Sequence, residues 1–463
     1  MFVPWIVSVG VLAVGPQDPP PSPDVASLLS RLREELAAAQ AELIVLRGAL
    51  APDAGERAAD ADPAEPPLAA ASTPRWQLLG DADSSWRVGG WLAQGGTWNP
   101  SAPRDHWNGT VSWMDRANEY ELTELYVTVE RRAGRPANGF DVGGRVDAMW
   151  GTNYRFVTSA GFESTWNEDD RYGVALPSAY LEFTTARTST IVGRFISPVG
   201  YFIVGTANNF FSTLPYTFAF GEPFTHTGVM TTVDVAADLQ VRVGLTNGWD
   251  STADWNSQRA GLVDEAWNRH VGALGMVTVG GLLAEGDSLA WFGSWSLEPD
   301  LSGLGRSSRY LQSLVYTLPL APSWQWVAQS DFGFQHAAVP DPAGGREDAE
   351  WFGLNQYLFH DASVDWRWGL ALEWFRDDDG ARVASPVPSF GSPNGQAFGR
   401  GPFAGDFFRA TIGPRWQPHP NVWLRPAVLC DVFDGHRSGG LLPFDDGHDR
   451  VQWLANLELL LFF

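Results

Sequence analysis

The chain of 463 residues is 44% hydrophobic with a mean hydropathy of -0.15. No apolar run reaches the roughly 18 residues of a membrane helix, which excludes a helical membrane protein. A formal charge of -23, with 31 basic residues that are all arginine, excludes a nucleic-acid surface. The single cysteine, Cys430, excludes an intrachain disulfide and a cysteine metal site.

In chain order, "MFVPWIVSVGVLAVG" has the length and small terminal residues (Ala13, Gly15) of a secretory signal peptide, residues 1–15. It lacks a basic start, since the first arginine is Arg31, so either translation begins upstream or the apolar run is a disordered tail. From Val25 the spacing becomes heptad, with Leu29, Leu32, Leu36, Ala39, Leu43, Leu46 and Leu50 alternating steps of four and three. Ser22 and Pro23 supply a helix start. Glu42 and Arg47 stand at g and e positions, where they pair only between parallel chains. Residues 22–50 are therefore expected to form a short periplasmic coiled coil, with packing of the helix on its own protein as the alternative. Residues 51–75, rich in Ala, Pro and Asp, read as a flexible linker.

After Trp76 the period changes to two. In "VDWRWGLALEWF", Val364, Trp366, Trp368, Leu370, Leu372 and Trp374 share one face, while Asp365, Arg367 and Glu373 share the other. "FDVGGRVDAMW" and "LQVRVGLT" divide in the same way. Charges on one face and aromatic rings at the ends of the other meet the demands of a transmembrane barrel, with lipid outside and water inside. About sixteen such segments occur over 76–463, an even number in the bacterial range. Tight connections fall at 186–188, 237–238, 361–363 and 419–421. Long ones fall at 99–117, 151–173, 197–225, 249–268 and 376–405. Short turns on the periplasmic side place both termini there. The expected fold is an all-β transmembrane antiparallel barrel preceded by the coiled-coil helix. Its closing strand is "VQWLANLELLLFF", whose terminal Phe463 resembles the aromatic insertion signal read by barrel-insertion machinery.

"GGWLAQGGTWNPSAPRDHWNGTVSWMDRANEYELTELYVTVER", "DVGGRVDAMWGTNYRF" and "FGEPFTHTGV" closely resemble the OmpL-like porin-2 family of β-barrel porins. The resemblance covers Trp86 to about Asp250 and more loosely the remainder. It implies an outer-membrane channel and carries no catalytic residues.

Glu222 and His226, four apart, invite a zinc assignment, but Gly221, Pro223 and Gly228 oppose the helix such a pair needs. The segment reads as a loop turning into a strand from Thr227 to Val235, with Glu222 available to an arginine. The preceding loop, 197–225, is too apolar to stand in water and is expected to fold into the lumen, or else to pack at a subunit contact. The acidic runs near Asn167, Arg376 and Phe444 lack calcium-loop spacing and read as solvated loop tips. Alternation assigns the pore lining to Arg145, Asp147, Arg194, Arg242, Arg367, Glu373, Arg409, Arg415 and Arg425. Asp141, Asp331, Asp365 and Glu458 fall on the same wet face. Arg194 and Glu222, at the two ends of the long loop, are the expected constriction pair.

These features predict a porin, not an enzyme, with no cofactor. It lies in the outer membrane of a Gram-negative-type cell and passes small hydrophilic solutes or ions. Its expected partners are outer-membrane lipid, the insertion machinery and further copies of itself, with a trimer favoured by analogy with large porins, and cell wall reached through the coiled coil. No nucleic acid is expected. The alternative is a secreted Trp-rich β-protein that binds or cleaves carbohydrate, which requires tryptophans in a wet cleft. Here Trp366, Trp368, Trp374, Trp416 and Trp453 lie on apolar faces.

Overall fold

The computed structural model describes residues 78–79, 84–159, 162–163, 166–167, 171–251, 271–299, 306–340, 344–386 and 398–463. The expected signal peptide, coiled coil and linker lie outside these residues. The strands are β1 (Trp86–Trp98), β2 (Tyr120–Arg131), β3 (Asp141–Gly151), β4 (Gly173–Thr184), β5 (Thr188–Ile196), β6 (Thr225–Ala236), β7 (Leu239–Thr246), β8 (Gly272–Gly280) and β9 (Ser288–Pro299). They continue with β10 (Arg306–Ala321), β11 (Trp324–Pro340), β12 (Arg346–Asp361), β13 (Trp366–Asp377), β14 (Ser385–Pro386), β15 (Phe398–Arg400), β16 (Gly405–His419), β17 (Val422–Gly435) and β18 (Val451–Phe462).

Sixteen of these strands close into one antiparallel barrel, in which β13 pairs with β16 and β18 returns to β1. The remaining two, β14 and β15, pair only with each other. Closure leaves no barrel strand with an unpaired edge, which is the condition for a sheet to sit in hydrocarbon. The seam runs from Trp91 opposite Phe462 to Trp98 opposite Ala455. The chain end joins it, since Phe463 N–H donates to Gly90 O (3.0 Å) and Gly90 N–H to Phe463 O (2.8 Å). Backbones approach so closely here that a Cβ on Gly95 would stand 2.1 Å from Leu457 O. The "QGG" of β1 therefore serves closure and not flexibility.

The inside-outside alternation follows the sequence pattern. On β13, Trp366, Trp368 and Leu372 are exposed, while Arg367 and Glu373 are buried. Trp366 stacks on Trp416 of β16 at 5.6 Å, adding to the outer aromatic belt. On β18, Val451, Trp453 and Leu457 are exposed and Gln452, Asn456 and Glu458 are buried. The tight connections fall where expected. One of them, between β4 and β5, is fixed by Thr185 N–H donating to Thr188 O and by a hydroxyl pair between the same residues at 2.7 Å.

The apolar connection between β5 and β6 lies inside the barrel. Nearly every residue from Ser197 to Phe224 is buried, and Tyr216–Gly221 forms a helical turn that the glycine and proline content had not suggested. The β1–β2 connection is also buried from Trp107 to Ala117, where its Ser112 O accepts from Leu214 N–H (3.1 Å). The acidic run near Phe444 is a structural contact as well as a loop tip. Asp446 accepts from the backbone N–H groups of Arg104 (2.9 Å) and Asp105 (3.1 Å).

Candidate functional site

The central feature is how far the β5–β6 connection reaches. Around the barrel, six strands separate β6 from β13, and six separate β5 from β16, so β13 and β16 stand across the lumen from the loop's own ends. The loop is pinned there. Glu373 of β13 accepts from the backbone N–H groups of Thr217 (2.7 Å) and Tyr216 (2.9 Å), and Arg409 of β16 donates to Leu214 O (2.6 Å).

Further attachments hold the loop to other parts of the wall. Glu124 of β2 accepts from Thr206 N–H (3.0 and 3.1 Å), and Arg425 of β17 donates to Thr206 O (2.9 Å) and Asn209 O (2.5 Å). Arg425 also pairs with Glu458. On β11, Gln329 accepts from Tyr201 N–H (3.1 Å) and donates to Glu222 (2.5 Å). Most of these anchors are charged groups meeting backbone, which stiffens a loop without requiring side chains of its own.

Arg145, Asp147, Arg242, Arg367, Glu373, Arg409, Arg415 and Arg425 stand on the parity opposite to exposed neighbours such as Val146, Val243, Trp368 and Val428. Their surroundings divide them into two groups. Arg367, Arg409, Arg415 and Arg425 are buried against the loop and wall. Arg367 donates to Gln325 (2.7 Å), and Arg415 lies over the Trp423 ring at 4.2 Å. By contrast, the Arg145 side chain keeps 32% exposure beside Asp147, to which it is bonded at 2.9 Å. Arg242 is likewise half-buried, as are Tyr180, Glu182, Thr232 and Thr278 on β4, β6 and β8.

Arg194 departs from expectation. It stands opposite Ala179 and Thr227, on the same parity as Val192, whose neighbours Leu181 and Val229 are exposed. Its side chain is covered by the β3–β4 connection, where it pairs with Glu163 and donates to Val157 O (2.9 Å). The expected Arg194–Glu222 constriction pair therefore does not form. A charge marks the wet face only where water or a wall partner meets it, and here a loop partner 31 residues away supplies the counter-charge. Glu222 instead meets Gln329, which also donates to Asp331 (2.9 Å). Burial first, and then the Asp331 charge, push the Glu222 acid well above the usual carboxylate range. His226 shares no partner with Glu222. Its ring nitrogens meet Ser197 Oγ (3.1 Å) and Gly248 O (3.0 Å). Among the described residues no group of three or more His, Cys, Asp or Glu is placed to hold a metal.

Sequence reasoning missed Trp249, Arg309 and Arg382, which gather at the long-connection end of the barrel. Arg309 and Arg382 lie over the Trp249 ring at 4.7 and 5.1 Å, and Arg382 also lies over Trp351 at 4.9 Å. No periodic pattern marks them, because they come from a strand and two separate connections.

Solved structures share this architecture. The outer membrane channel DcaP of Acinetobacter baumannii is 12% identical, with a TM-score of 0.52, and the match covers 82% of this chain and 97% of that one. The anion-selective porin from Comamonas acidovorans is 8% identical, with a TM-score of 0.51, covering 82% of this chain and 99% of that one. At such identities the likeness is one of fold. A comparison with curated proteins found no match. The sequence signature of the family described as "Putative beta-barrel porin-2, OmpL-like" matches residues 85–463, and the chain belongs to this family of β-barrel porins.

Proposed function

We propose that the protein conducts small hydrophilic solutes across the outer membrane by passive diffusion, along the wall formed by β3, β4 and β6 to β8. The observation that carries this reading is the pinned β5–β6 loop. It narrows the lumen from one wall to the other, while Arg145, Glu182, Thr232, Arg242 and Thr278 remain half-buried and polar. A fixed constriction beside a charged wall sorts solutes by size and charge. The test is conductance in planar bilayers. The purified protein should form discrete ion-conducting channels, and removal of residues 205–214 should raise the single-channel conductance of a folded barrel. A folded parent protein that never conducts overturns the reading.

In this proposal the short turns and both termini face the periplasm, Phe463 serves the insertion machinery, and residues 22–50 associate in parallel beneath the barrel. The leucine-rich seam supports self-association and does not set its number, and the trimer rests on analogy with large porins. Substituting Leu36 and Leu43 by Asp should lower the sedimentation mass while leaving β-content and conductance intact. An unchanged mass would assign the helix to another partner, such as cell wall.

A further inference from the structure

We propose that Arg309, Arg382 and the Trp249 indole form an oxyanion-binding site, for phosphate or for the carboxylate of a small organic acid, at the long-connection end of the lumen. This rests on the channel reading for its role but not for its chemistry. Arg309 projects inward from β10, opposite Ser296 and Gln335. Arg382 comes from the connection that follows β13, and Trp249 from the one that follows β7. Two cations thus converge on one aromatic ring from three separate parts of the chain.

Glu298, Asp250 and Asp377 lie near the two guanidinium groups, yet among the described residues none makes a close, hydrogen-bonded pair with either. Arg382 Nε donates to Phe220 O (2.6 Å), and among the described residues no carboxylate accepts from its guanidinium. Arg309 Nε donates to Gln335 (2.8 Å), and its nearest acid, Glu298, is 3.9 Å away. The carboxylates nearby are committed to backbone instead. Glu298 accepts from Trp249 N–H (2.9 Å), Asp250 from Phe224 and Thr225 N–H, and Asp377 from Ala381, Arg382 and Val383 N–H. Burial, and next the Arg309 charge, press the Arg382 guanidinium toward losing its proton, and the charges of Asp377, Asp250 and Glu298 offset this only in part. The Trp249 indole N–H, which is buried, also has no acceptor among the described residues.

Two guanidinium forks and an indole N–H offer a planar or tetrahedral oxyanion several donors at once, and its charge relieves the repulsion. Chloride fits less well, because it cannot accept from both forks in a bidentate manner. The same groups would draw an anionic solute to the mouth of the pore before the constriction, although the chain as a whole is strongly acidic.

The test is titration calorimetry of the full chain in detergent at low ionic strength, with inorganic phosphate and with succinate as probes. Saturable binding of either probe is expected, and the tighter one identifies the inorganic or the organic source. Arg309→Gln and Arg382→Gln should each weaken binding at least tenfold. Arg437→Gln, in the exposed connection after β17, should leave it unchanged. Should Arg382→Gln fail to fold, Arg309→Gln and Arg309→Lys decide the matter, with loss in the first and partial retention in the second. No binding of either probe to the folded parent, or equal binding by the Arg309 and Arg437 variants, overturns the site. Binding without channel activity in bilayers would leave the site standing and remove the diffusion reading.

Discussion

Arg425 and Glu458 stand directly opposite on β17 and β18, and both close on the hydroxyl of one loop residue, Thr206. Arg425 donates to Thr206 Oγ1 (2.6 Å), and the same hydroxyl donates to Glu458 (3.1 Å). The arrangement joins the wall near the barrel seam to the loop that crosses the lumen. Removing one member of a buried pair strands the other, at about 3–5 kcal/mol. Arg425→Met is therefore expected to destabilise the porin by that order in urea unfolding from detergent. Arg425→Met with Glu458→Met should recover most of the loss. Simple addition of the two single effects would show that the residues are not coupled.

The lipid face gives a prediction of opposite character. Ile412 lies mid-strand on β16, 52% exposed, between Leu370 and Val428. An arginine there meets hydrocarbon and should cost about 2–4 kcal/mol, with a large drop in folded yield. Thr278→Leu, on the half-buried inner wall, should fold nearly as well as the parent. Equal yields from Ile412→Arg and Thr278→Leu would mean that this wall does not face lipid.

How far the sequence was legible follows from where each constraint acts. Lipid acts on every second residue, so Trp366 and Trp368 could be placed outside and Arg367 and Glu373 inside from period alone. The even strand number and the tight turns rest on the same local rule. A contact between distant connections leaves no such trace. Nothing in β16 or β17 says that loop carbonyls 195 and 219 residues away would claim Arg409 and Arg425. Arg194 shows the limit most clearly, since a covering loop let a charge occupy the outward parity. The Trp249 cluster was invisible for the same reason.

The seam supplies a steric prediction. With Leu457 O only 2.1 Å from a Cβ at Gly95, Gly95→Val forces β1 away from β18. The barrel then exposes unpaired backbone at its closing edge, which hydrocarbon does not tolerate. The variant should lose the resistance to unfolding in dodecyl sulfate that a closed barrel shows on unheated gels. Gly280→Ala on β8 is the comparison, because an added Cβ there meets nothing nearer than Asp287 O at 3.5 Å. If both variants remain equally resistant, the seam glycines are not required for closure.

The Glu222 carboxyl gives the β5–β6 loop a pH dependence. Burial and the adjacent Asp331 charge raise its acid well above the ordinary value of 4.5, so the native state holds a proton that the unfolded chain releases. Below the unfolded value both states keep the proton and the loop's contribution to stability is complete. As pH rises past it, the unfolded chain binds fewer protons than the native one, and stability declines until the native group ionises as well. Each unit of separation between the two values amounts to about 1.4 kcal/mol. Glu222→Gln retains an oxygen to accept from Gln329 and presents an amide toward Asp331, while removing the ionisation. Thermal unfolding in detergent should therefore find the variant and the parent alike near pH 4, with the variant increasingly the more stable toward pH 8. A stability difference that stays constant from pH 4 to pH 8 would show that the folded porin leaves the Glu222 acid near its unfolded value.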